Sequence, residues 1–245
     1  MVAAALAGWE PGRHVAGGFD RPVYRRGTGP GVIVIHESPG LTPEVVAFAD
    51  ELVDAGFTVV LPHLFGPAGT SPRWFEPLVV LPRLCISREI SCFATGRSTP
   101  LAGWLRDLAR TLHAELGGPG VGALGMCLTG GFALAMAVDP SVAAGVVAQP
   151  AVPLPLGRRR AGDLGLGERD LEAVRARTRA GCPVLGVRYT DDWVTGTRFE
   201  TLRDQLGPAF VAVELAGEGH ATLTADRSAE AVSRVVRFLS DTLLS

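Results

Sequence analysis

Val121-Gly122-Ala123-Leu124-Gly125-Met126-Cys127-Leu128-Thr129-Gly130-Gly131 is the stretch that decides how the rest of the chain is read. Val121 to Met126 is a short apolar run of the kind that forms a buried strand. Thr129 to Val138 carries a helical pattern, so Cys127 stands at a strand-to-helix turn. A sharp turn of this kind needs small flanking residues and lifts the side chain at its apex clear of the strand's carboxyl end. The helix that follows offers free backbone N–H groups and a positive dipole end, which favour a thiolate and a developing oxyanion. A free cysteine is ordinarily a small buried hydrophobe. Cys85, Cys92 and Cys182 are read that way, whereas the context of Cys127 makes it a candidate nucleophile.

The same alternation extends in both directions. Val32 to Ile35 is an apolar, β-branched run. After Glu37-Ser38-Pro39-Gly40 comes a helix with Thr42 as N-cap and Pro43 at its first position. Val45, Val46, Phe48, Ala49, Leu52 and Val53 share one side of it, and Gly56 is expected as its C-cap. Phe57 to Leu61 is the next strand, completing a unit with a right-handed crossover and parallel strands. Further along, helices are expected over Leu101–Leu116, Glu168–Arg179, Thr197–Leu206 and Ser228–Leu244. Strands are expected over Ala143–Val147, Pro183–Arg188 and Phe210–Leu215. The fold class is therefore α/β: one domain over residues 1–245, with a mostly parallel, doubly wound sheet and helices on both faces. An irregular insert at about 66–100, with prolines, aromatics and arginines, reads as a lid or binding loop. Pro150 to Gly167 reads as a mobile surface loop, and its Arg158-Arg159-Arg160 run as a solvated face.

Composition narrows the chemistry. The chain has 245 residues, is 47% hydrophobic and carries a formal charge of −2, which leaves no general attraction to nucleic acid or anionic lipid. All 23 basic residues are arginine. Without lysine there is no Schiff-base chemistry and no phosphate loop of the lysine-dependent kind. Without asparagine there is no N-glycosylation site and no Cys-His-Asn arrangement. The four cysteines show neither disulfide-scaffold nor zinc spacing, which suggests a reducing, cytoplasmic setting with no metal and no cofactor. The start of the chain lacks the basic region of a signal peptide, and no stretch has the ~20 unbroken apolar residues of a membrane span.

The partners of Cys127 follow by elimination. In the α/β-hydrolase order an acid and then a histidine come after the nucleophile. Of His14, His36, His63, His113 and His220, only His220 is downstream, just past the strand Phe210–Leu215. The acid should also follow a strand, and Thr190-Asp191-Asp192-Trp193-Val194 follows Pro183–Tyr189. Either aspartate suits, Asp191 being the first after the strand.

Taken together, His36-Glu37-Ser38-Pro39-Gly40, Gly125-Met126-Cys127-Leu128, Thr190-Asp191-Asp192-Trp193-Val194 and Gly219-His220 resemble the dienelactone hydrolase family. The resemblance spans about Val32 to the last helix. It implies the α/β-hydrolase fold and a catalytic set of Cys127, Asp191, His220 and Glu37, Asp191 being favoured over Asp192. In that family a glutamate at the place of Glu37 holds the resting thiol and helps to release its proton when substrate binds. The resemblance also implies an oxyanion hole made by the backbone N–H groups of Leu128 and Ser38. Two departures stand out. Thr129 occupies the place two past the nucleophile, where glycine is usual. Thr224 stands where founding members carry a carboxylate-binding arginine. The insert supplies Arg88 and Arg97 as alternative substrate-binding cations.

The reading that results is a cofactor-free cysteine hydrolase of a lactone or small carboxylic ester, working through a Cys-His-Asp triad and an acyl-enzyme. A small molecule is the expected partner, with no nucleic acid and no membrane; the sequence carries no sign of oligomeric state. Thioester hydrolysis or acyl transfer on the same triad is the alternative within enzymes. A non-catalytic, ligand-binding homologue is the alternative outside them. An amidotransferase-like protein would show a downstream His-x-Glu, and His220 is followed by Ala221 and Thr222.

Overall fold

The computed structural model describes residues 4–66, 68, 69, 100–152 and 154–244. Its centre is an eight-stranded sheet in the order β1-β2-β4-β3-β5-β6-β7-β8. The strands are β1 (Glu10–Ala16), β2 (Phe19–Arg26), β3 (Gly31–Ile35), β4 (Thr58–Pro62), β5 (Val121–Met126), β6 (Val142–Ala148), β7 (Val184–Tyr189) and β8 (Phe210–Leu215). β1 and β2 pair antiparallel, as do β2 and β4; from β4 through β3 to β8 every pairing is parallel. The longer helices are α1 (Pro43–Asp54), α2 (Pro100–Leu116), α3 (Gly130–Met136), α4 (Glu168–Arg179), α5 (Arg198–Leu206) and α6 (Ala229–Leu243).

Successive strand residues point to opposite faces, and both faces are covered. Val32 and Val34 of β3 face a layer in which α1 contributes Val45, Phe48 and Leu52, and α6 contributes Val235, Leu239 and Leu243. Ile33 and Ile35 face the other layer, with Trp104, Leu105 and Leu112 of α2, Phe132 of α3, Val174 of α4, and Phe199 and Leu202 of α5. Burying a side chain such as Phe48 or Leu52 is worth roughly 1.5–3 kcal/mol, so these two layers dominate the stability of the fold.

α1 begins as expected, with Pro43 in its first turn and the Thr42 hydroxyl accepting from the Val45 N–H. It closes one residue before the expected C-cap. Ala55 is the cap, and Gly56 follows in left-handed conformation (φ +94°) while Phe57 N–H reaches back to Leu52.

The hairpin of β1 and β2 is the element the sequence reading did not anticipate. Its strands are half-exposed and contain Pro11 and Pro22, so no apolar run marks them. Gly17 and Gly18 link Ala16 to its partner Phe19, both glycines at positive φ, as a tight two-residue hairpin turn requires. α2 anchors the hairpin: the Trp104 indole N–H donates to the His14 carbonyl.

Of the expected insert, only 66, 68, 69 and 100 are described, so Arg88, Arg97, Cys85 and Cys92 lie outside the described residues. The second irregular stretch is tethered rather than loose. Leu164 and Leu166 are buried, while Arg158, Arg159 and Arg160 are exposed.

Candidate active site

Cys127 follows β5 directly and has a φ of +52°, a left-handed conformation that costs a side-chain-bearing residue about 1–2 kcal/mol. The strain is held by close packing. A Cβ at Gly125 would lie 2.2 Å from the Thr129 carbonyl oxygen, and one at Gly130 would lie 2.9 Å from Pro150 Cβ. Thr129 fits the turn despite its branched side chain because its φ of −100° and ψ of 0° are open to any residue. Its buried hydroxyl accepts from the Met126 N–H at 3.0 Å and points its proton at the Ile35 and Met126 carbonyls, both at 2.9 Å. The hydroxyl thus ties the elbow to β3, a contact that glycine would not make.

Register places the other candidates at the same edge. Ile35 of β3 lies opposite Gly125, so Glu37 and Ser38 emerge level with Cys127 and Leu128. Leu128 is the second residue of a 3-10 turn (Cys127–Thr129), among the first N–H groups of a helical turn, which have no partner within it. The His220 loop follows β8, and the aspartate loop follows β7. All lie at the carboxyl ends of the parallel strands, where α/β sheets gather their ligands.

The acid facing His220 is Asp192, which corrects the expectation of Asp191. His220 Nδ1 lies 2.8 Å from Asp192 Oδ2. The reason is that β7 does not release the chain at Tyr189. The Thr190 N–H bonds the Leu215 carbonyl and the Asp191 N–H bonds the Gly217 carbonyl, so both continue along the neighbouring strand, and the Asp191 side chain is exposed. The chain turns at Asp192, which is buried. Its Oδ1 caps the next turn by accepting from the Val194 N–H at 3.0 Å, leaving Oδ2 for the imidazole.

Burial alone would lower the pKa of His220. Hydrogen bonds to Asp192 and Cys127, and the charges on both, outweigh it and raise the value to about 10. A histidine raised on folding stabilises the protein fully below its unfolded value of about 6.5 and loses that contribution as pH climbs through the folded value. The urea midpoint of wild type should therefore exceed that of His220→Gln by most near pH ~6, with the gap closing towards pH ~10. A gap independent of pH would contradict the pairing.

Glu37 is buried and doubly bonded. Its Oε1 accepts from the Thr224 hydroxyl, and its Oε2 accepts from the Gln149 amide at 3.3 Å. Burial pushes its carboxyl upward. The Thr224 hydroxyl, the charge of His220 and the Gln149 amide oppose this, and Asp226 reinforces it. Thr224, at the place where a substrate-binding arginine was expected by resemblance, is thus spent on an internal contact. Gln149 also accepts from the Thr222 hydroxyl at 2.6 Å.

The loops around these groups are fixed by residues the sequence reading passed over. His36 is fully buried, with Nδ1 2.9 Å from the Glu37 carbonyl and Nε2 accepting from the Leu64 N–H at 3.1 Å. That pattern assigns the proton to Nδ1, and burial drives the pKa down to about 3, so the ring stays neutral. Asp226 Oδ2 accepts from the backbone N–H groups of His220 and Ala221 at 2.7 and 3.1 Å. Arg198, with no exposed surface, donates to the carbonyls of Asp163, Pro150, Val194, Thr195 and Arg160 at 2.8–3.4 Å. No spacing rule points to these partners. For Asp226, the one visible sign was a carboxylate a few residues past a histidine loop.

A model of the dienelactone hydrolase family matches residues 21–237. The chain belongs to the dienelactone hydrolase family. Membership makes it a relative of hydrolytic enzymes that act on small molecules, on the α/β-hydrolase fold seen here. No curated protein matches the chain in sequence. Among solved structures, a dienelactone hydrolase from Anabaena variabilis is 17% identical with a TM-score of 0.63, covering 96% of this chain and 98% of its own. A dienelactone hydrolase-like promiscuous phosphotriesterase from metagenomic libraries is 18% identical with a TM-score of 0.64, covering 96% and 98%. The α/β hydrolase GrgF from Penicillium is 14% identical with a TM-score of 0.68, covering 97% and 99%. At these identities the likeness is one of fold. Among the described residues of this dienelactone hydrolase-family chain, no helix is long and apolar enough to cross a membrane, and no cluster of three or more histidine, cysteine, aspartate or glutamate side chains is placed to hold a metal ion.

Proposed function

We propose that the protein hydrolyses a lactone or small carboxylic ester by nucleophilic catalysis at Cys127. The observation that carries this reading is the strained elbow at Cys127 on the same sheet edge as His220, whose Nδ1 lies 2.8 Å from Asp192 Oδ2. The Cys127 thiol passes its proton to His220 as the sulfur attacks the substrate carbonyl. The N–H groups of Leu128 and Ser38 stabilise the tetrahedral oxyanion, and the alkoxide leaves with a proton from the imidazolium. The acyl-enzyme is then attacked by water that His220 deprotonates, and the proton returns to the sulfur as the acid departs. Asp192 holds the imidazole in the correct tautomer and balances its charge throughout. Glu37 places a carboxylate beside this pair, where it disfavours the thiolate at rest.

The direct test is intact-mass measurement during turnover of p-nitrophenyl acetate. Wild type should show a protein species heavier by one acetyl group, mapped to Cys127, and a burst of p-nitrophenolate. Turnover with no burst and no adduct, under conditions that trap slow deacylation, would place the chemistry on another group.

A further inference from the structure

Gln149 immediately follows β6, one strand away from the elbow. Among the described residues, only Cys127 and Gln149 are non-glycine residues with positive φ, at +52° and +33°. Such strain persists where surrounding contacts over-determine it, and it concentrates at functional sites. At Gln149 the contacts are complete. The residue has no exposed surface, and its backbone N–H donates to the Val187 carbonyl at 2.7 Å. Its amide donates to Glu37 Oε2 at 3.3 Å and accepts from the Thr222 hydroxyl at 2.6 Å. The amide has one workable orientation, because turned over its oxygen would face the carboxylate.

Thr222 is buried and lies two residues past His220, with its own N–H bonded to the His220 carbonyl at 2.9 Å. Thr224, on the same loop, takes the remaining oxygen of Glu37. The carboxylate is therefore latched to the loop that carries the base, on one side directly and on the other through Gln149.

The geometry points to Gln149 as a positioning residue that fixes the Glu37 carboxylate relative to His220 and Cys127, so that the gate on the thiol and the base act as one unit. This rests on the proposed roles of Cys127 and Glu37. It adds a residue that bonds Glu37 on one side and Thr222 of the His220 loop on the other. A buried amide between two polar partners has no apolar packing task that methionine, of similar length, would not perform.

The test is a double-mutant cycle of Gln149→Met and Glu37→Gln, read as kcat and KM on p-nitrophenyl acetate and as the rate of Cys127 alkylation by iodoacetamide. Glu37→Gln alone should speed alkylation, since a negative charge near the thiol is lost, and slow turnover, since the carboxylate latched to the His220 loop is lost with it. Gln149→Met alone should lower kcat roughly tenfold with KM within about twofold, the size expected when a buried partner is left unbonded. In the Glu37→Gln background the same change should add less than about twofold, because residues acting through one group are non-additive. An equal loss of kcat in both backgrounds, or no loss in either, overturns the proposal. If Gln149→Met does not fold, Thr222→Val and Thr222→Ser decide: the valine should reproduce the loss and the serine, which keeps the hydroxyl, should restore it. Equal kcat for the two overturns the proposal. Failure of the underlying reading looks different, because an active Cys127→Ala variant removes the nucleophile itself, and the inference falls with it.

Discussion

Replacing Cys127 with alanine should lower kcat on p-nitrophenyl acetate by roughly 10⁴-fold or more, with the fold intact. The size follows from the division of labour. Without the sulfur there is no acyl-enzyme, and only the oxyanion donors and substrate binding remain to speed direct attack by water. The fold should survive because alanine, like cysteine, carries a Cβ. The strain at φ +52° is already present in the native chain, and the substitution adds none. Cys127 is also only partly buried, so truncation leaves little cavity. A folded alanine variant with kcat within tenfold of wild type would end the assignment of the nucleophile.

Asp192→Asn should be the next most damaging change, at roughly 10³–10⁴-fold in kcat, while Asp191→Asn should stay within about twofold. Asparagine keeps an oxygen to accept from the Val194 N–H, so the cap and the turn persist. What changes is the group facing the imidazole. An amide N–H in place of Oδ2 demands an unprotonated Nδ1, which puts the proton on the nitrogen that should receive it from sulfur. Asp191 has no comparable task, since its side chain is exposed and its backbone extends the pairing with the end of β8. If Asp191→Asn were the crippling variant and Asp192→Asn harmless, the orientation of His220 by Asp192 would be wrong. The comparison needs both variants folded, checked by near-UV circular dichroism.

Much of this molecule can be read from its residues, and the boundary has physical causes. The strand Val121–Met126 is legible because both its faces are buried, and the edge strand Phe210–Leu215 because buried Phe210, Val213 and Leu215 stand among exposed positions in a β-branched, apolar run. The β1–β2 hairpin is not, since half-exposed strands carry prolines and arginines and only Gly17-Gly18 signals the turn. Cys127 and His220 stand out because their residue types are scarce and their places follow strands. The carboxylate that meets His220 lies one residue past the expected one because the end of the pairing is set by the neighbouring chain, here the Gly217 carbonyl, not by local sequence. Thr224 and Gln149 were invisible for a related reason. Their partner, Glu37, lies 187 and 112 residues away, and a threonine or glutamine gives no hint of which distant carboxylate it will meet.

The fully buried guanidinium of Arg198 has a consequence for redesign. It grips the chain on two sides of the site at once: Pro150, Arg160 and Asp163 on one, Val194 and Thr195 on the other. Val194 and Thr195 are also the turn that Asp192 caps, and the Thr195 hydroxyl donates back to the Asp192 carbonyl. The stretch from 150 to 163 is therefore no interchangeable module. A transplanted segment of different length would withdraw carbonyls from a cation sealed off from water, and an interior charge stripped of acceptors is severely unfavourable. The resulting rearrangement would arrive at the Asp192 carboxylate that bonds His220. Reshaping this rim is thus inseparable from shifting that pair, unless the grafted loop restores the carbonyls that Arg198 holds.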